Sequence, residues 1–191
     1  TGVIAKGYQT QVKNKITFTN VINQGQSGKS LTSFAGSDSI VDLTASMVAT
    51  DIFTFETVTN DFKLNRALGT SSDYLNNTGA FTFYGALRVM VDRCIGLRST
   101  CIIMMFSGLR RNNGGYTSFS TNTLGLSISD YDSAVKFVCE REGFRFIDLR
   151  NLSGITERNL SINTLDLLHP NDLGYDLMSK QIITDFKTVL G

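Results

Sequence analysis

The chain has 191 residues, and its 18 basic and 17 acidic side chains leave a formal charge of +1, so bulk electrostatics draw it to neither nucleic acid nor an anionic membrane. A composition 41% apolar and 18% charged excludes disorder, and no apolar run approaches the ~20 residues of a bilayer-spanning helix. The length suits one domain over residues 1–191.

Short β-branched or aromatic runs alternate with stretches of helical period, the pattern of a parallel sheet flanked by helices. Tyr8 to Lys15 predicts a short helix, and ITFTNVI (16–22) a strand that runs into the polar loop NQGQSGKS (23–30). A second helix is expected over Ser39 to Val48, and DIFTFETV (51–58) is the next strand, stopping at TNDFKLN. Phe83, Leu87, Met90, Val91 and Cys94 recur at helical spacing, so 80–97 is a helix with that stripe inward. The unbroken apolar run CIIMMF (101–106) suits a central strand buried on both faces.

Residues 107–127, rich in Gly, Asn, Ser and Thr, form a long loop of the kind that borders a binding site. Asp130 to Glu142 is a helix that buries Tyr131, Val135 and Val138, with Gly143 placed to end it. FRFIDL (144–149) is the last strand. Pro170 fits the first turn of a closing helix whose inward stripe is Tyr175, Met178, Ile182, Phe186 and Val189. Cys94, Cys101 and Cys139 lie in apolar segments with neither metal-site nor CxxC spacing, which predicts buried, reduced thiols.

DLLHPNDLGY (166–175) holds both the only histidine and the only proline of the chain. Histidine is the side chain suited to proton transfer near neutral pH. Asp166, three residues before His169, is close enough to hold one ring nitrogen and leave the other free as a base. The same stretch also fits an Asx-type turn with a helix-capping histidine, and alone it leaves both readings open.

The loops NQGQSGKS, TVTND and DLLHP would converge at one edge of the sheet, where open α/β folds place their ligands. In order and spacing they resemble the second, third and fifth conserved blocks of the SGNH hydrolase superfamily, also called the GDSL lipases and esterases, over most of the chain. The resemblance implies a three-layer α/β/α, flavodoxin-like doubly wound parallel sheet and ester hydrolysis by a Ser-Asp-His mechanism without metal or cofactor. It also implies roles for four residues: His169 as general base, Asp166 as its orienting partner, the Gly28 backbone N–H and the Asn60 side-chain amide as donors of an oxyanion hole. Val58 stands where the family usually has glycine.

The family's first block, a strand ending in Gly-Asp-Ser, carries the nucleophile and is not found in residues 1–191. The opening TGVIAKGY resembles what directly follows that block, so the serine is expected just before Thr1, on a first strand supplied by a preceding segment or a separate chain. Ser39, in AGSDSIV (35–41), is a weaker substitute because it lies after the second block and follows no apolar strand. A phosphate-binding P-loop is nearly matched by NQGQSGKS, but Asn23 stands where that motif needs glycine. A different class of function, a non-catalytic glycan-binding module of a surface or phage tail protein, fits the same fold. The polar 107–127 loop favours short acyl groups, such as acetyl on a carbohydrate, over lipid chains, and the resemblance to modules of secreted bacterial esterases and phage tail proteins implies an extracellular or virion-associated setting.

Overall fold

The computed structural model describes residues 7–35, 39–43 and 46–191. Its elements in chain order are α1 (Gly7–Lys13), α2 (Ile40–Leu43), β1 (Ile52–Glu56), α3 (Val58–Lys63), α4 (Ser71–Leu75), α5 (Phe83–Leu97) and β2 (Ile102–Phe106), then β3 (Asn112–Asn113), β4 (Tyr116–Thr117), α6 (Ile128–Glu142), β5 (Arg145–Ile147), α7 (Leu149–Leu152), α8 (Leu160–Asn163) and α9 (Asp172–Leu190). They group into two compact units. One comprises Gly25–Gly108 and Phe119–Phe146; the other comprises the described residues of Thr1–Gln24 with Leu109–Ser118 and Ile147–Gly191.

The first of these units is an α/β body around a sheet of order β1-β2-β5. Strands β1 and β2 run parallel, from Ile52 opposite Ile102 to Glu56 opposite Phe106, and helices α5 and α6 occupy the crossovers that successive parallel strands require. As its unbroken apolar run predicts, β2 is central: Ile103, Met104, Met105 and Phe106 are at most 2% exposed. The predicted stripes of α5 (Phe83, Leu87, Met90, Val91, Cys94) and α6 (Tyr131, Val135, Val138) are all buried, each large apolar side chain contributing about 1.5–3 kcal/mol. The Tyr131 ring meets Phe83 edge-on at 5.2 Å and Phe62 at 6.3 Å, which ties α3 and α5 to α6.

Helix α6 begins at Ile128, two residues before the predicted start, because the Asp130 carboxylate accepts from both the Ser127 N–H (2.7 Å) and its hydroxyl (2.8 Å). It ends at Gly143, whose φ of +75° is the left-handed cap that glycine adopts without strain. In the second unit α9 packs on α1, α7 and α8. It buries Met178, Ile182 and Phe186, the last against the edge of Phe18 at 5.6 Å.

Several expectations need correction. Residues 16–22 form no strand: a strand exists only where a neighbour completes its ladder, and here Phe18 turns to α9 while Ile22 is half exposed. The expected helix over 39–48 is seen as α2 alone, with Thr44 and Ala45 outside the described residues and Met47 and Val48 outside any helix. Pro170 precedes α9 rather than opening it, because Asn171 is the N-cap, its side-chain oxygen accepting from Gly174 N at 3.0 Å. Cys101 is partly exposed, whereas Cys94 and Cys139 are buried, and all three are free thiols.

Within the expected long loop lies a hairpin, β3 with β4, turned by Gly114 and Gly115 at φ +62° and +82°; two positive φ angles are what the type I′ two-residue hairpin turn demands. Helices α3, α4, α7 and α8, of four to six residues, were not anticipated, being too short to leave a periodic stripe. The segment TGVIAKGY falls largely on residues 1–6, outside the described residues.

Candidate active site

Asp166 and His169 meet in the α9 unit. The Asp166 Oδ2 lies 2.8 Å from His169 Nδ1, while Oδ1 accepts the backbone N–H of His169 at 2.8 Å and of Leu168 at 3.2 Å. Burial pushes this carboxyl up, but the His169 backbone N–H, the His169 ring and the Leu168 N–H outweigh it and hold it below the usual carboxylate range. An ionised carboxylate only accepts, so Nδ1 carries the hydrogen and the Nε2 lone pair is left to take a proton. Both side chains reach solvent, with 66% of the imidazole and 44% of the carboxylate side chain exposed.

The loop that carries this pair is held at both ends. Leu168 is buried, and the backbone pairs Thr164 with Pro170 as an isolated bridge, Leu165 N donating to His169 O at 2.7 Å. Gly174, within the motif, allows the first turn of α9 to lie against the end of α8: a Cβ there would overlap the Asn163 carbonyl oxygen and stand 3.0 Å from Pro170 Cβ. Leu167 takes φ +63°, a left-handed conformation that is costly for a branched side chain.

Gly28 and Asn60 lie in the other unit. Asn60 is in the first turn of α3, directly after β1, and its Nδ2 donates to Lys29 O at 3.0 Å. Gly28, next to that carbonyl, is exposed with φ +75°, so any other residue there is strained even though open space surrounds it. The structure thus joins Asn60 to the Gly28–Lys29 turn and Asp166 to His169, each pair within its own unit.

Sequence reasoning missed Asp61. It is fully buried, and its carboxylate accepts Leu31 N (2.6 Å), Thr32 N (3.0 Å) and the Thr32 hydroxyl, so neighbouring residues of α3 grip both sides of the loop after Gly28. Burial drives its carboxyl up to about 6, against the pull of those donors and of Arg66. Its only signal in sequence is an acidic residue in a helical first turn, a common feature. Val58, the departure from the family pattern, is fully buried beside Gly108, where a Cβ would come within 3.3 Å of Val58 Cγ1 and 2.8 Å of Ile128 Cδ1. The bulk added at position 58 is matched by its absence at 108.

Ser39, the substitute nucleophile, is buried and caps α2, its hydroxyl donating to Asp42 at 2.7 Å; Gly36, Ser37 and Asp38 before it lie outside the described residues. Among the described residues no group of three or more His, Cys, Asp and Glu side chains is placed to hold a metal ion.

No protein-family model and no curated protein matches this sequence. Solved structures do. A protein from Lactobacillus plantarum is 23% identical and superposes with a TM-score of 0.85 over 98% of this chain and 90% of its own. A possible lipase from Chitinophaga pinensis is 20% identical, with a TM-score of 0.82 over 97% and 90%. A member of the lipolytic protein G-D-S-L family from Veillonella parvula is 17% identical, with a TM-score of 0.62 over 95% and 87%. The strand order, the helical crossovers and these superpositions lead to one conclusion: the chain has the fold of the GDSL-type, or SGNH, hydrolases.

Proposed function

We propose that the protein is a serine ester hydrolase acting on short-chain esters, chiefly acetyl groups on carbohydrate. The observation that carries this reading is the Asp166–His169 pair, in which an ionised carboxylate fixes the imidazole tautomer at 2.8 Å and leaves Nε2 free. A helix cap needs no such arrangement, and α9 is capped by Asn171 instead. The description of similar structures as lipolytic supports the same reaction class.

In the proposed mechanism Nε2 of His169 takes the hydroxyl proton of a serine encoded just ahead of Thr1 as that oxygen attacks the ester carbonyl. The Gly28 N–H and the Asn60 amide donate to the oxyanion, and the loss of one such donor typically costs ~3 kcal/mol of barrier. The tetrahedral intermediate collapses, the ester C–O bond breaks, and His169 returns the proton to the leaving alcohol. Water, deprotonated by His169, then releases the acid from the acyl-enzyme. These steps use protein groups and water alone.

The test is hydrolysis of p-nitrophenyl acetate and of acetylated xylan by the full-length protein. His169→Ala should lower kcat by on the order of 10³-fold or more, and rates should fall as the acyl chain lengthens. Unchanged turnover in His169→Ala would refute the reading.

A further inference from the structure

The β3–β4 hairpin lies against the loop that carries the Asp166–His169 pair, within the same compact unit. Asn113 Nδ2 donates to the Asp166 carbonyl oxygen at 2.7 Å, and Asn112 N donates to the next carbonyl, that of Leu167, at 2.9 Å. These two bonds fall on the peptides flanking Leu167, whose φ of +63° costs about 1 kcal/mol or more and persists only where surrounding contacts over-determine it. The hairpin is itself anchored from behind: the buried Arg111 donates from Nη2 to Asn113 O at 3.1 Å, and its backbone N–H to Ser118 Oγ at 2.8 Å.

From this chain of contacts we propose that Asn113 is a positioning residue, whose side-chain amide holds the Asp166–Leu167 turn so that the Asp166 carboxylate stays aimed at Nδ1 of His169. The role is separable from the fold of the hairpin. The β3–β4 ladder runs through backbone atoms, and Arg111 reaches the Asn113 carbonyl, so neither depends on the Asn113 side chain. Without the amide, the Asn112 N–H alone holds the turn from the hairpin, at the Leu167 carbonyl, and the Asp166–Leu167 peptide and the carboxylate beside it gain freedom.

His169 is the only histidine of residues 1–191, and comparison with His169→Ala assigns its ring nitrogens in spectra of the full-length, untagged protein. Two-bond ¹H–¹⁵N correlation spectra of the imidazole should show one dominant Nδ1–H tautomer in the wild type. In Asn113→Ala and in Asn113→Asp, which keeps the shape but turns an acceptor toward the Asp166 carbonyl, the ring ¹⁵N shifts should move to a mixture of tautomers. Because it assigns a catalytic consequence, the kinetic arm rests on the hydrolase reading: kcat on p-nitrophenyl acetate should fall on the order of 10-fold, with KM within about twofold.

Unchanged ring shifts and unchanged kcat in both variants would overturn the proposal, as would a fall in kcat and Tm together with ring shifts that do not move. A wild type that hydrolyses no ester while the variants lose the tautomer signature upholds the positioning role and removes the hydrolase reading. Activity lost in His169→Ala but retained with unmoved ring shifts in both Asn113 variants does the reverse.

Discussion

Asp166 accepts three hydrogen bonds from the residues that follow it, two from backbone and one from the His169 ring. In Asp166→Asn the amide oxygen can keep the backbone bonds, but its NH₂ would face Nδ1 and force the hydrogen to Nε2, the wrong tautomer for a base. The expected result is a loss of kcat on the order of 10³–10⁴-fold, with thermal stability little changed because the pair is largely exposed; a scan of Tm beside the rate assay checks both. Asp61 titrates in the opposite sense. Its folded value is raised from 3.8 to about 6, so the stability carried by its protonated form is complete below 3.8 and is lost as pH rises through about 6, roughly 3 kcal/mol in all. Asp61→Asn leaves a donor facing one of the three donors now satisfied, at a cost of about 1–3 kcal/mol. The variant should therefore be less stable at about pH 4, with the gap to wild type narrowing toward about pH 7; denaturant unfolding across that range measures it, and a gap that widens is incompatible with a raised Asp61 carboxyl. The DxxH spacing made Asp166 and His169 legible in the sequence. Asp61 was not, because its role depends on a loop 29 and 30 residues away.

Long helices announced themselves and short ones did not. The inward stripes of α5 and α6 were readable because each repeats over several turns, whereas α3, which carries Asn60, has only six residues. The hairpin was missed although Asn-Asn-Gly-Gly-Tyr-Thr carries its signal, since the surrounding Ser, Thr and Asn disguise two-residue strands as loop. At the α8–α9 junction the glycine of the DLLHPNDLGY stretch has a packing reason that only the structure supplies. Gly174→Ala would drive a methyl into the Asn163 carbonyl, which is backbone and cannot swing aside. We expect a loss of about 1–3 kcal/mol, seen as a lowered unfolding midpoint, together with a lower kcat because the Asp166–His169 loop enters α9 through that turn.

At the level of the whole molecule, identities of 17–23% accompany TM-scores of 0.62–0.85, because a fold is kept by which positions are buried rather than by which apolar residue fills them. The burial of β2 and its central place in the sheet follow from such a pattern and were legible in advance. The failed strand at 16–22 marks the limit of that reading: alternation specifies a face, but a ladder needs a partner that local sequence does not name. Whether the protein is a serine ester hydrolase whose base is His169 is decided by treating the full-length protein with a fluorophosphonate and mapping the adduct by peptide mass spectrometry. One phosphonylated serine is expected, just ahead of Thr1, with its labelling abolished in His169→Ala. No adduct, as a glycan-binding module lacking the serine would give, or an adduct at Ser39 instead, would contradict it.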